Sequence, residues 1–346
     1  MTLLVQYTLI YAAVLTLVAL GGMFSERSGV INIGLEGIMV FGAMGGAMTM
    51  VLLPATTPPG LIVILTLIVA ALVGMVSSLL LAVACINFKA DQTLAGTALN
   101  MLATATATVL IKAFNTKRSN GSNFSAILDY IDARRGFIFK IGKLELSWFI
   151  VIAIILLIVS WVVLYKTKFG LRLRSCGEHP QAADSVGINV YKMRYAGVII
   201  SGALGGLGGL IYIAAANSTW HFDVGVAGAG FLALAVMIFG QWKPIRIALA
   251  ALLFGLFRAL SNVYLGIDWL ANIGISGTVY NMLPYIVSLI VLRSRPKSRA
   301  RRKRRGFRTT RVCAKLWQNY ISNSGRWAAR KQPRPLLPNS TMKSAA

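Results

Sequence analysis

Residues 61–86 read L-I-V-I-L-T-L-I-V-A-A-L-V-G-M-V-S-S-L-L-L-A-V-A-C-I, 26 positions without one charged side chain. A helix rises 1.5 Å per residue, so roughly 20 apolar residues cross a bilayer core of about 30 Å. Working outward, similar runs recur at Leu3–Phe24, Leu35–Leu53, Thr93–Phe114, Trp148–Tyr165, Tyr195–Ala216, Ile245–Tyr264 and Thr278–Leu292. Ala227–Phe239 is shorter and glycine-bearing, so it is expected as a broken or re-entrant piece. The fold class expected is an all-α polytopic membrane protein with about nine transmembrane helices, range 8–10.

Composition agrees. Of 346 residues, 56% are hydrophobic and 13% charged, and the mean hydropathy is +0.69. That excludes a secreted disulfide scaffold, a disordered chain and a cytosolic enzyme. Cys85, Cys176 and Cys313 lie too far apart in sequence to suggest a disulfide framework or a metal quartet. The net charge of +25 is uneven: residues 1–292 carry +8, and residues 293–346 carry +17 without one acidic side chain. The chain therefore divides into a membrane domain, 1–292, and a basic, disordered tail, 293–346.

Short loops rich in Lys and Arg stay in the cytoplasm. Lys166, Lys168, Arg172, Arg174, Lys192 and Arg194 place the loop 166–194 there, and counting spans puts Lys89, Lys243, Arg246 and the tail on the same side. Residues 115–147, with Lys117, Arg118, Arg134, Arg135, Lys140 and Lys143, are counted outside against the rule. The first apolar run has no basic stretch before it and is expected as a retained span, not a cleaved signal.

Ion-coupled carriers need ionisable groups deep in the bilayer, and the spans have almost none. Arg258 is the most awkward and is expected to snorkel towards an interface. The sequence holds no G-x-x-x-x-G-K-[ST], H-E-x-x-H or G-x-S-x-G motif. Cys176 and His179 have C-x-x-H spacing without a second ligand pair, so neither a metal site nor a catalytic residue is expected.

Residues 22–42 place Glu26, Arg27, Ser28, Gly29, Asn32, Gly34, Glu36 and Gly37 between two apolar runs. Two readings stay open here, a polar turn between spans and irregular backbone lining a cavity at membrane depth. Thr93, Thr97, Asn100 and Thr104 fall at i, i+4, i+7 and i+11 on one helical face. Such a stripe serves a solute path or interhelical hydrogen bonds. Trp220 and Phe222 sit where an aromatic belt is expected, and the glycines of Gly202–Leu210 predict close helix packing. Pro180 suits the first turn of a short helix over Gln181–Val186, with Gly177 breaking the structure before it and Gly187 stopping it.

Four stretches together resemble the permease subunits of bacterial ABC importers for simple sugars and nucleosides. They are E-R-S-G-V-I-N-I-G-L-E-G (Glu26–Gly37), A-D-Q-T-L-A-G-T-A-L-N-M-L-A (Ala90–Ala103), G-E-H-P-Q-A-A-D-S-V-G-I-N-V-Y-K-M-R-Y (Gly177–Tyr195) and G-A-G-F-L-A-L-A-V-M-I-F-G-Q-W-K-P (Gly228–Pro244). The match is nearest to nucleoside permeases that work with a lipoprotein binding protein. The resemblance implies a multi-pass subunit of the bacterial cytoplasmic membrane, in contact with lipid and without nucleic acid. It implies three partners: an ATP-binding cassette ATPase, a second permease chain, related or identical, and an extracytoplasmic solute-binding protein. The chain itself would bind no cofactor, ATP and Mg being used by the ATPase. It assigns Glu26, Arg27, Ser28, Gly29, Gly34, Glu36 and Gly37 to a family signature. Residues 177–190 become the coupling segment that docks into the ATPase, with Gly177, Glu178, His179, Pro180, Ala182, Ala183, Asp184 and Gly187 at its centre. Asn32, Thr93, Thr97, Asn100, Thr104 and Asn217 are candidates for a neutral path suited to a nucleoside or sugar. The alternatives are a branched-chain amino acid permease of the same architecture and a secondary carrier.

The tail departs from that family, whose members end soon after the last span. One back-translation of Arg293–Lys315, read from its third base, gives F-T-S-K-K-S-R-A-P-K-A-A-G-I-P-Y-D-K-G-V-R and then a stop, a family-like ending. The expectation is a single-base slip near codon 293 and no selected function beyond Leu292.

Overall fold

The computed structural model describes residues 2–54, 56–121, 124–130, 138–141, 144–216 and 219–263, with Val279, Met282, Leu283, Tyr285 and Ile286. The described helices are α1 (Thr2–Ser28), α2 (Leu35–Leu52), α3 (Pro59–Ala82), α4 (Gln92–Arg118), α5 (Trp148–Lys166), α6 (Lys168–Glu178), α7 (Pro180–Ser185), α8 (Val190–Ala216), α9 (Ala229–Phe239) and α10 (Pro244–Val263). A π-helical turn, Val83–Asn87, continues α3. Seven of these, α1 to α5, α8 and α10, are long and apolar enough to cross a membrane, which makes the chain a multi-pass membrane protein. They coincide with seven of the expected spans. The eighth expected span is α9, and most of the ninth, 278–292, lies outside the described residues, as does Asn217.

Lipid tails are as apolar as leucine, so helices in a membrane associate through close packing of small residues. The glycines of α8 do this. A Cβ on Gly206 would lie 2.3 Å from the Ala70 carbonyl oxygen, and one on Gly209 2.0 Å from that of Met39. The expected close packing is present, with α8 seated against α1, α2 and α3.

Arg27, Arg194 and Arg246 mark one end of the bundle, here called the basic end. There the last turn of α1 carries Arg27, whose guanidinium donates to the Trp242 carbonyl oxygen at 3.3 Å and faces Glu178 at 3.9 Å. The end of α3 joins them, the Tyr195 hydroxyl donating to Asn87 Oδ1 at 3.1 Å. At the opposite end the chain forms two short antiparallel pairs that the all-helical expectation did not include. They are β1 (Ile127–Asp129) with β4 (Thr219–His221), Ile127 opposite His221, and β2 (Ile138–Ile141) with β3 (Leu144–Ser147). The Tyr130 hydroxyl donates to the Ile213 carbonyl oxygen at 2.9 Å and ties this region to α8.

Two spans are not simple helices. Residues 29–34 enter the bundle without helical structure, so α2 begins inside it. Glu36 of α2 meets the start of α9, and α9, with 11 residues, is about 16 Å long, half a bilayer core. Irregular backbone persists at that depth only where protein covers it. The expected broken span is real.

Candidate functional site

The signature 26–37 is where the irregular segments are held. Gly29 ends α1 with φ +94°, its N–H donating to the Glu26 carbonyl oxygen at 3.1 Å, a left-handed turn that suits glycine. Ser28 is buried, its hydroxyl donating to the Ser25 carbonyl oxygen at 2.6 Å. The Trp242 indole N–H donates to the Glu26 carboxylate, which fixes the loop between α9 and α10. Gly34 and Gly37 press on α4: their Cβ atoms would lie 2.9 Å from the Leu99 side chain and 2.8 Å from the Leu99 carbonyl oxygen.

Glu36 has the most specific place. Its carboxylate accepts from the Gly228 N–H at 2.8 Å and the Gly230 N–H at 2.6 Å, covering the start of α9. The first N–H groups of a helix lack partners within it and carry its positive dipole end, so a carboxylate satisfies both at once. Gly228, at φ +76°, turns the chain into that helix.

The expected path residues fall in different places. Asn32 is fully buried; its Nδ2 donates to Ser201 Oγ at 2.9 Å, while its Oδ1 is without a partner among the described residues. Thr93 and Thr97 are exposed, the Thr97 hydroxyl bonding back to the Thr93 carbonyl oxygen at 3.0 Å. Asn100 joins helix to irregular chain: its Nδ2 donates to the Ile33 carbonyl oxygen at 3.1 Å and its Oδ1 accepts from Gly37 N–H at 2.8 Å. Thr104 bonds to the Asn100 carbonyl oxygen at 3.2 Å, beneath Gly225. None of these five lines either of the two cavities formed by the described residues at the other end of α1.

The sequence reading missed the larger of them. Tyr7 and Tyr11 of α1, Tyr212 of α8, Trp220 of β4, and Arg258 and Asn262 of α10 line an open space of about 400 Å³ at the end opposite the basic one. Arg258 does not simply snorkel: its Nη2 donates to the Tyr212 hydroxyl at 3.2 Å. The Asn262 amide donates to the Tyr11 hydroxyl. The rings of Tyr212 and Trp220 meet edge to face at 5.4 Å, and Trp220 Nε1 donates to the Gly225 carbonyl oxygen at 2.8 Å. Phe222 is 1% exposed. Phe222 faces protein and Trp220 the cavity, where an aromatic belt was expected of both. Below the cavity, Tyr11, Tyr212 and Arg258 also border a small space against Gly228 and Ala229, so its floor reaches the start of α9.

The coupling segment sits at the basic end. Pro180 opens α7, the Gly187 N–H donates to the Asp184 carbonyl oxygen at 2.9 Å, and the Ile188 N–H to that of Ala183 at 3.0 Å. With Gly187 at φ +80°, this is the helix stop expected there. His179 precedes α7 as its N-cap, without a side-chain hydrogen bond. Ala183 is buried beneath it, whereas Ala182, Asp184 and Val186 are exposed, Val186 at 72%. Gly177 does not break the structure as expected: α6 runs through it to Glu178. A Cβ on Gly177 would lie 2.3 Å from the Arg27 carbonyl oxygen, so its role is close approach to α1. Neighbouring Cys176 is fully buried as a packing group, and burial pushes its thiol pKa up.

The class this describes is a multi-pass membrane protein, its bundle of spans interrupted by a half-helix, with an open cavity at one end and a basic surface at the other. The sequence profile described as branched-chain amino acid transport system, permease component, matches residues 4–292, and the chain belongs to that family. It is 41% identical over 300 residues to the guanosine ABC transporter permease protein NupQ of Bacillus subtilis, covering 84% of this chain and 91% of NupQ. It is likewise 41% identical over 300 residues to the nucleoside ABC transporter permease protein NupC of Lactococcus lactis, again covering 84% and 91%. The chain is thus a permease subunit of a multi-subunit ABC transporter.

Proposed function

We propose that this chain moves a nucleoside inward across the bacterial cytoplasmic membrane, driven by ATP that a partner ATPase hydrolyses with Mg. The observation that carries the proposal is the seat of the basic end. The segment α6–α7 packs closely on α1 at Gly177, with Glu178 facing Arg27, and presents Ala182, Asp184 and Val186 outward. A short helix held rigidly on its inner side and bare on its outer side is suited to dock into the ATPase. Movement imposed on it passes to α1, whose far end carries Tyr7 and Tyr11 of the cavity.

The energy comes from the ATPase, and the chain is not itself an enzyme. A second permease chain, identical or related, completes the membrane unit, and a solute-binding protein delivers solute to the cavity end. Asn100 and Thr104 border the path where it passes the irregular segments, and Asn32 lies deeper beside Ser201. The 41% identity to permeases named for guanosine and nucleosides supports this solute class over branched-chain amino acids.

Proteoliposomes carrying the permease pair and the ATPase, supplied with the binding protein, test the proposal. Labelled nucleoside is expected to accumulate only with ATP, and excess leucine or ribose is expected not to compete. Uptake without ATP, or accumulation of leucine in its place, overturns it.

A further inference from the structure

We propose that α6, where it folds back across the end of α5, is a binding site for the headgroups of anionic phospholipid. The leaflet is the inner one, with the basic end in the cytoplasm as above; the proposal otherwise goes beyond the transport reading and is independent of the solute.

The outward face of α5 sets the membrane level. Trp148 and Tyr165 are both exposed and stand 17 positions apart, roughly 26 Å along the helix, close to the thickness of a bilayer core. Every exposed residue from 149 to 160 is valine or isoleucine. An aliphatic band with aromatic rings at both ends is the pattern of a lipid-facing span, and the rings lie at headgroup level.

Four cations gather at the Tyr165 end. The chain turns at Thr167, whose hydroxyl accepts from the Gly170 N–H at 3.2 Å and donates to the Val163 carbonyl oxygen at 2.6 Å. A Cβ on Gly170 would lie 2.2 Å from that same oxygen, so α6 starts in direct contact with α5. Gly170, Leu173 and Cys176 are buried, which leaves Lys168, Leu171 and Arg172 on the exposed face. Two more cations are held over rings of α5. Lys166 Nζ lies 5.8 Å from the centre of the Trp161 ring, and the Arg174 guanidinium 4.9 Å from that of Tyr165. Such contacts keep long basic side chains at the depth of the rings.

Residues 166–174 hold no acid, and none of these four cations has an ion pair among the described residues. The next carboxylate along the chain, Glu178, faces Arg27 instead. At headgroup level the anion within reach is a lipid phosphate, which a guanidinium pairs through two N–H groups at once. Leu171, 63% exposed between these cations, gains from an acyl chain what water does not give it. A free phosphate offers Leu171 nothing, and it has no reason to meet cations clamped at the end of a lipid-facing span.

The test is native mass spectrometry of the full chain released from nanodiscs of mixed phosphatidylglycerol and phosphatidylcholine, counting the lipids retained. Phosphatidylglycerol is expected at least about fivefold above its share, the gain that one basic residue makes at an anionic surface. Lys168→Gln with Arg172→Gln should remove most of that preference. Arg301→Gln with Arg302→Gln, which takes the same charge from the tail, should leave it within about twofold. Loss of basic residues also disturbs insertion, so Tyr165→Leu serves as a variant of unchanged charge; freeing Arg174 should weaken the preference about two- to fivefold. Equal retention of the two lipids by the unaltered chain overturns the proposal, as does equal loss in the tail variant. Displacement of the lipid by inorganic phosphate at constant ionic strength overturns it in favour of a free-anion site. Displacement by the purified ATPase overturns it in favour of a wider protein dock. No uptake is read, so failure here leaves the nucleoside reading standing, and failure of that reading leaves the lipid site standing.

Discussion

At the basic end much of what shapes the chain lies in two short runs, Glu26–Gly29 and Gly177–Gly187, and is largely backbone work, with Trp242 as the side chain that joins them from a distance. Gly29 and Gly187 turn the chain at positive φ, Gly177 lets α6 approach α1, and Pro180 starts α7. At the opposite end the cavity is walled by side chains drawn from the whole length of the membrane domain, and the bond between Asn262 and Tyr11 spans 251 positions. The first kind of construction writes itself into sequence, because a positive φ or a close approach restricts the residue type at a definite position. The second does not, since a tyrosine on an apolar helix reads the same whether it faces lipid, core or cavity.

Changing Gly177 gives the largest expected effect. Gly177→Leu puts a side chain where a Cβ alone would meet the Arg27 carbonyl oxygen at 2.3 Å and the Gly29 nitrogen at 3.2 Å. Neither backbone atom can rotate away, so α6–α7 must lift from α1, at about 1–3 kcal/mol for overpacking of this kind. ATP-driven uptake should fall more than about tenfold while binding of labelled nucleoside to the purified chain changes less than about twofold, measured on the same preparation. Joint loss of both would show that the two ends are one unit and end the comparison.

Glu36 lies between the ends, and its replacement sharpens their relation. Glu36→Gln keeps the shape but removes the charge and turns one acceptor into an amide that meets the N–H groups of Gly228 and Gly230. Leaving one helix N-terminal donor unsatisfied costs about 1–3 kcal/mol. A fall in the thermal midpoint of the purified chain and a several-fold loss of uptake are expected. An unchanged midpoint would mean that α9 is held by its packing alone. Trp220→Ala should be milder: it removes one aromatic wall of the cavity and the edge contact with Tyr212, so nucleoside uptake weakens about three- to tenfold and the midpoint holds.

The difference also explains what was legible. Seven described spans and the broken α9 follow from hydropathy and glycine placement, because the bilayer imposes length and apolarity on each segment by itself. The signature and α7 followed for the reason given above. Trp220, Phe222 and Arg258 were misread because each was judged against the commonest use of its residue type near a membrane surface. Their distant partners, Tyr212 for Trp220 and Arg258 and Ala126 for Phe222, lie in other segments. Thr93 and Asn100 share a helical face yet have different surroundings, since only Asn100 reaches the irregular chain at Ile33 and Gly37. Periodicity gives the face; which segment lies opposite it is a tertiary fact.

The smallest effect is expected from the residues beyond the family match. The family match stops at residue 292, and residues 293–346 add 17 Lys and Arg without one acid. Two physical expectations compete. A polybasic stretch beside a membrane gains about 1 kcal/mol per basic residue from anionic lipid, so a selected anchor would lower membrane yield when removed. A stretch created by a single-base slip near codon 293 has no such role, and the seven spans already fix the chain in the bilayer far more strongly than surface charge does. Truncation after Leu292 is therefore expected to leave yield and uptake within about twofold, and resequencing that codon should reveal the slip. A several-fold drop in yield, restored by any unrelated basic tail, would make the segment an electrostatic anchor after all.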